Sequence, residues 1–427
     1  MSRPASTRPH LELRSYQLEL EVLSPLHVGA GGPPLVGGYD VVADTDRGRF
    51  YLIDVERLIA ERMTEERILR GEDPRVDNLI APAEWPQYAR AILPGPRGED
   101  VASQTRQHWT LLPFERDARG NPYLPGSSLK GALRTALAYA FLRRELHQLA
   151  GQEGKARFAD TAVGQALLAQ FSAGNLRREQ FARPLETRLF QQSEGFDPTH
   201  DLLRAVRPAD SAPLPPDATV VEQVGIYRVK NGALELVSPK HRWLVEALPE
   251  GTRLQLRLDL DFGPFGVERG LPERARQYVE IERLFRACRE FAWRLVAVES
   301  RRMQEARSQF TAFYRELAKR IEAAAHAATP ETYLQLGWGT GWRAKTIGPL
   351  LELSDIEDGK DFLENLVTKL QLGRGQQKLP FPRTRRLVER NGQPSLPLGW
   401  VRLRVLTAEE DDHAATPRPP VHHPGSS

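Results

Sequence analysis

Three glycines at alternate positions, Gly337, Gly339 and Gly341, restrict what their part of this 427-residue chain can become more than any other feature. Residues 337–345 read Gly-Trp-Gly-Thr-Gly-Trp-Arg-Ala-Lys. Glycine enters the left-handed region of backbone space without steric cost, so this stretch can curl and aim successive N–H groups at one anion. Trp338 and Trp342, on either side of Thr340, offer flat faces for a base, and Arg343 and Lys345 supply charge for phosphate. Two readings follow: a loop that grips a nucleic-acid backbone or nucleotide, or a turn between a strand and a helix with both indoles in the core. The spacing is not GxxxxGK[ST], and it lacks the third glycine and acidic partner of a dinucleotide fingerprint.

A chain of this length exceeds one ordinary core, so two domains are expected. Hydrophobic residues make up 40% and charged residues 27%, the balance of a soluble globular protein. No apolar run is long enough to span a bilayer and the first ten residues are polar, so the expected location is cytoplasmic, with no membrane partner. Cys288 is the only cysteine, which excludes an intramolecular disulfide and a multi-cysteine zinc site. Net charge is a mild +3, but only nine of the 59 basic residues are lysine. Arginine suits phosphates and bases, although a GC-rich genome produces the same bias. Residues 373–390 gather Arg374, Lys378, Arg383, Arg385, Arg386 and Arg390 against the single acid Glu389, either a phosphate-binding patch or a solvated face.

The periodicity predicts strands over 16–23, 39–43, 50–53, 219–229, 233–237, 242–245, 253–261, 333–336 and 400–405. It predicts helices over 55–70, with Asp54 as N-cap, over 272–327 as two helices or one long bent one, and over 361–371. Residues 127–128, Ser127 and Ser128, read as caps of a helix that carries Leu129, Leu133 and Leu137 on one side and Lys130 and Arg134 on another. Its N-terminus with nearby cations would attract phosphate; the plainer reading is an amphipathic helix with solvated cations. Residues 208–217 hold four prolines and suit a connection between domains. The fold class expected is therefore α+β with antiparallel sheets: a disordered 1–14, domains over 15–217 and 218–406, and a disordered tail from 407 to 427.

Several of these segments together resemble one family. Leu23-Ser24-Pro25-Leu26-His27-Val28-Gly29, the run Tyr123-Leu124-Pro125-Gly126-Ser127-Ser128-Leu129-Lys130-Gly131-Ala132-Leu133-Arg134, and the glycine loop with Lys345-Thr346 are similar to the signature segments of the repeat-associated mysterious proteins (RAMPs) of CRISPR systems. Residues 196–204, 382–385 and 397–401 resemble, more narrowly, the fifth-subunit family of the type III-A Csm effector complex. The resemblance implies two ferredoxin-like, RRM-related domains and binding of the 3′ part of a CRISPR RNA. It also implies partnership with the backbone RAMP and small Csm subunits, indirect contact with target RNA, and no cofactor or catalysis. Trp342 stands where the family more often has Phe. The RNA-binding residues it points to are Gly337, Trp338, Gly339, Thr340, Gly341, Trp342, Arg343 and Lys345, then Ser127, Ser128, Lys130 and Arg134, with His27, Arg385 and Arg386. His27 is also the candidate for the alternative, a guide-processing endoribonuclease with histidine as general acid or base. His200-Asp201 resembles a metal-dependent HD pair but lacks further ligands, and Asp201 reads better as a helix-start residue.

Overall fold

The structure is a computed structural model and describes residues 12–106, 108–151, 154–173, 183–190, 198–266, 270–306, 310–373 and 379–411. The first strand, β1 (Leu13–Val22), is followed by β2 (Leu35–Val36), β3 (Val41–Asp44), β4 (Arg49–Ile53) and β5 (Ala89–Pro94). β6 (Thr110–Leu112) precedes the long helix Gly126–Ala150, and β7 (Val206–Pro208) comes after it. Next come β8 (Val220–Lys230), β9 (Ala233–Leu236), β10 (Arg242–Ala247) and β11 (Arg253–Asp261). The helices Ile281–Glu305 and Phe310–Ala324 lead to β12 (Glu331–Gln335), and β13 (Thr384–Arg390), β14 (Gln393–Leu396) and β15 (Trp400–Asp411) close the described chain.

β1 alternates because it has one wet and one dry face. Tyr16, Leu18, Leu20 and Val22 are buried, while Glu19 and Glu21 point outward to Arg404 (3.0 Å) and Arg402 (2.6 Å). β11 matches it, with Leu254, Leu256, Leu258 and Leu260 buried opposite β1. These strands form a five-stranded antiparallel sheet ordered β12-β15-β1-β11-β7. The helix Gly126–Ala150 buries Leu129, Leu133, Leu137 and Leu142, and Ile281–Glu305 buries Leu284, Phe285, Cys288 and Phe291, in the same core as the sheet's leucines. Each such side chain contributes on the order of 1.5–3 kcal/mol. Burial pushes the Cys288 thiol up to about 12.

A second sheet has the order β14-β13-β8-β10-β6-β2, with β9 paired to β8, and a third is the meander β3-β4-β5. The β10–β6 pair is parallel, so the mixed α+β architecture is antiparallel with that exception. Phe50, Leu93, Trp109, Leu111 and Leu244 seal the meander against the second sheet.

The expected cut at residue 217 does not separate two sheets. β1 from the first part lies between β11 and β15 from the second, and β6 lies beside β10. Long-range pairing overrides the proline-rich composition of 208–217, where Ala209 N–H bonds Arg257 O and Ser211 N–H bonds Leu124 O. Leu13 and Arg14 already belong to β1, and 407–411 continue β15, so the expected disordered ends overrun the ordered chain by two and five strand residues. Residues 1–11 and 412–427, like Arg374 and Lys378, lie outside the described residues. The helix expected over 55–70 is two, Val55–Arg62 and Glu65–Leu69, because the Thr64 hydroxyl accepts the Arg67 N–H and starts the second. Asp54 caps the first, as its position implied.

Candidate nucleic-acid interface

β12 delivers the glycine curl at the end of the large sheet. Gly337, Gly339 and Gly341 adopt φ of 87°, 86° and 84°, with Thr340 in the right-handed region between the last two. Trp338 N–H donates to His27 O (2.8 Å), Leu336 N–H to Gly399 O (2.9 Å), and Gly399 N–H to Pro25 O (2.9 Å). Two segments that the sequence singled out separately, 23–29 and 337–345, are thus stitched together through Gly399. Close approach requires the glycine at 337: a Cβ there would sit 2.5 Å from His27 O. The Thr340 hydroxyl donates to Gly337 O (3.1 Å) and closes the curl. Among the described residues, the N–H groups of Gly339 and Thr340 have no protein partner, and such a backbone concavity binds anions.

Cations and indoles flank this concavity. Trp338 is half-buried, edge-on to His27 (5.6 Å) and to Trp243 (5.9 Å). The Arg386 guanidinium lies over both indoles, 4.8 Å from Trp338 and 5.5 Å from Trp243. Lys345 follows the short helix Gly341–Ala344 and has an exposed side chain. Partial desolvation, and then the nearby charge of Arg386, hold its ammonium below the ordinary lysine range. The two cations lie close enough for the charge of one to act on the other, and such a pairing of like charges attracts an anion. Trp243 was missed by the sequence reading, because in β10 it looks like one more strand residue.

Other expected contacts turn inward. Arg343 is buried, with Glu352 at 2.7 Å, Glu299 at 3.2 Å and the Phe381 carbonyl at 3.0 Å. Arg385 joins the same network through Glu299 at 2.5 Å. Burial alone would raise the Glu299 carboxyl, but Arg385 and Arg343 outweigh it and hold the group low. These arginines are therefore corrected from phosphate ligands to internal cations: a buried guanidinium needs carboxylates, and it has them. Trp342 packs on Gly348 and edge-on to Phe381 (5.1 Å), walling the loop from within. His27 is 2% exposed, with Nδ1 2.6 Å from Glu246 O. Its burial pushes the imidazole below the ordinary histidine value. It supports the curl with its carbonyl and its ring, and it is not a surface contact.

The helix Gly126–Ala150 starts earlier than expected, so Ser127 and Ser128 lie in its first turn and do not cap it. Asp210 instead accepts the Gly126 N–H (2.7 Å). Ser127 is exposed and Ser128 half-buried. Arg134 is engaged by Asp201 (3.3 Å) and Glu186 (3.2 Å). Lys130 is half-buried; desolvation lowers its pKa, and Arg134 and Arg207 push the same way against Asp201. Asp201 caps the short helix Leu202–Ala205 by accepting the Leu203 N–H (2.8 Å), as the helix-start reading had it. A backbone ladder ties this region to the curl: Glu115 N–H bonds Val28 O, and Tyr123 N–H bonds Glu115 O.

The family profile described as the RAMP superfamily matches residues 19–344. The chain belongs to the RAMP superfamily. It is 32% identical over 140 residues to the CRISPR system Cms protein Csm5 of Streptococcus thermophilus, across 30% of this chain and 38% of that protein. It is 26% identical over 281 residues to the Csm5 protein of Mycobacterium tuberculosis (strain CDC 1551 / Oshkosh), across 59% and 68%. Its fold is similar to a chain of a Csm-crRNA-target RNA ternary complex of a type III-A CRISPR-Cas system, with TM-score 0.63 at 24% identity over 91% of this chain and all (100%) of that one. It is also similar to the crystal structure of Csm5 from T. onnurineus, with TM-score 0.55 at 22% identity over 91% and 100%. In this RAMP protein Arg343 is turned into the core beneath the glycine curl, while Arg386 lies over Trp338 and Trp243. Among the described residues, no helix is long and apolar enough to cross a membrane.

Proposed function

We propose that the protein is the RNA-binding fifth subunit of a type III-A CRISPR Csm complex. It holds the 3′ part of the CRISPR RNA and caps the filament of backbone subunits in the cytoplasm, meeting target RNA only through the guide. One observation carries this reading: the N–H groups of Gly339 and Thr340 stand without partners among the described residues, beside Lys345 and an Arg386 stacked on Trp338 and Trp243. A concave backbone, two cations and an aromatic platform suit a ribose-phosphate strand. The names of the Csm5 relatives and of the ternary complex agree with it. Ser127 and Lys130 supply a second contact. The strand order β15-β1-β11-β7, with a long helix after β1 and another after β11, supports a ferredoxin-like reading of the large sheet.

The protein acts by binding and does not cleave. A guide-processing nuclease would need His27 at the surface, and its burial leaves that alternative without support. The test is guide RNA affinity against salt concentration. Lys345→Ala weakens binding about equally across sequences and lowers the salt slope by about 0.7. A slope that does not move sinks the proposed role of Lys345. Incubation with labelled repeat RNA gives binding without site-specific cleavage; cleavage lost in His27→Ala restores the nuclease.

A further inference from the structure

We propose a second, separate ligand site: a cleft that takes one nucleotide, built from none of the residues of the glycine curl. It lies along the C-terminal half of the helix Gly126–Ala150, facing the helix Arg183–Phe190 and residues 271–278, and has a volume of about 300 Å³. That size is at the lower limit of small-molecule sites and fits a mononucleotide. Its floor is aromatic. Phe141 and Tyr278 are half-buried with ring centroids 4.8 Å apart, and Phe190 lies 6.0 Å from Phe141. Its rim is basic, with exposed Arg144 and Arg188, and with His200 on the lining. Arg144 is held in place, with Nη1 donating to the Tyr278 hydroxyl (2.5 Å) and the guanidinium 5.7 Å from that ring.

Among the described residues the cleft has one carboxylate on its lining, Glu145, whose Oε1 accepts the Ala162 N–H (2.8 Å). The lining thus sets the rings of Phe141, Tyr278 and Phe190 beside the guanidinium groups of Arg144 and Arg188. Rings receive a base by stacking, and arginine forks receive a phosphate. Chemically the ligand is a nucleoside monophosphate, either free in solution or as the terminal nucleotide of a single-stranded RNA.

The test uses the full chain with AMP and UMP, followed by calorimetry. Saturable binding at a stoichiometry of one is expected, weakened about tenfold, or 1.4 kcal/mol, in Arg144→Ala and in Arg188→Ala. Lys345→Ala leaves it unchanged. The source is read with an oligonucleotide that carries a fluorescent adenine analogue at its 3′ end. If AMP displaces that end, the cleft serves the RNA terminus; if AMP binds and the end does not respond, it serves a free nucleotide. Absence of saturable AMP and UMP binding overturns the site, as does binding at wild-type strength in either arginine variant. Guide RNA that still binds with a Lys345-dependent salt slope in that case leaves the proposed function standing.

Discussion

At the scale of single residues, the same residue type at adjacent positions has opposite fates. Arg385 and Arg386 are neighbours in β13, yet one is buried on Glu299 and the other lies over two indoles. Strand alternation dictates this, since successive side chains leave a strand on opposite faces. From the sequence the 373–390 run could only be read as one basic cluster, because the partner acids are remote: Glu299 lies 44 residues from Arg343 and 86 from Arg385. Glu299→Gln leaves both arginines facing a neutral group in a dry site and should cost about 3–5 kcal/mol of stability, read from urea unfolding midpoints. A loss below about 1 kcal/mol would mean that water or Glu352 compensates. Lys345 makes a pH prediction. Its ammonium pKa is lowered, so its charge is lost as pH rises through a value below the ordinary lysine range. RNA affinity should therefore decline at a lower pH in the wild type than in Lys345→Arg, whose guanidinium stays charged. Superimposable affinity–pH curves would remove Lys345 from the contact.

At the scale of elements, the curl was legible because glycine at alternate positions is a backbone statement in its own right. The 23–29 segment was legible by its family resemblance, but not as the curl's partner, since hydrogen bonds between segments more than 300 residues apart leave no local mark. β13 and β14 were missed: their arginines dominate the composition, and only Leu387 and Val388 are fully apolar and buried in β13. Two glycine substitutions separate backbone conformation from crowding. Gly337→Ala meets His27 O at 2.5 Å, whereas Gly341→Ala has nothing within 4 Å, and both positions have positive φ. Gly341→Ala should cost about 1 kcal/mol from the conformation alone. Gly337→Ala should cost clearly more and also weaken guide RNA, as the His27 strap is pushed off. Equal thermal midpoints for the two variants would show that the strap yields freely.

At the scale of the whole molecule, the α+β class was legible from period-2 and period-3.6 patterns, whereas the partition at 217 was not. Proline-rich composition marks an irregular connection, but it says nothing about which strands pair across it. The large sheet places β1 between β11 and β15, so fragments 1–217 and 218–427 each lack partners for central strands. Expressed singly, each should be insoluble or show broad, undispersed amide resonances; expressed together they should reassemble. Independent folding of either fragment would contradict the shared sheet. The same arrangement bears on synthesis. A nascent chain emerges with its central strand first and must hold both edges of that strand open until residues 253–261 and then 400–411 have been made. At about 5–20 residues per second, this leaves tens of seconds during which Leu18 and Leu20 have no sheet to enter, so the ribosome-bound intermediate is a natural client for holdase chaperones.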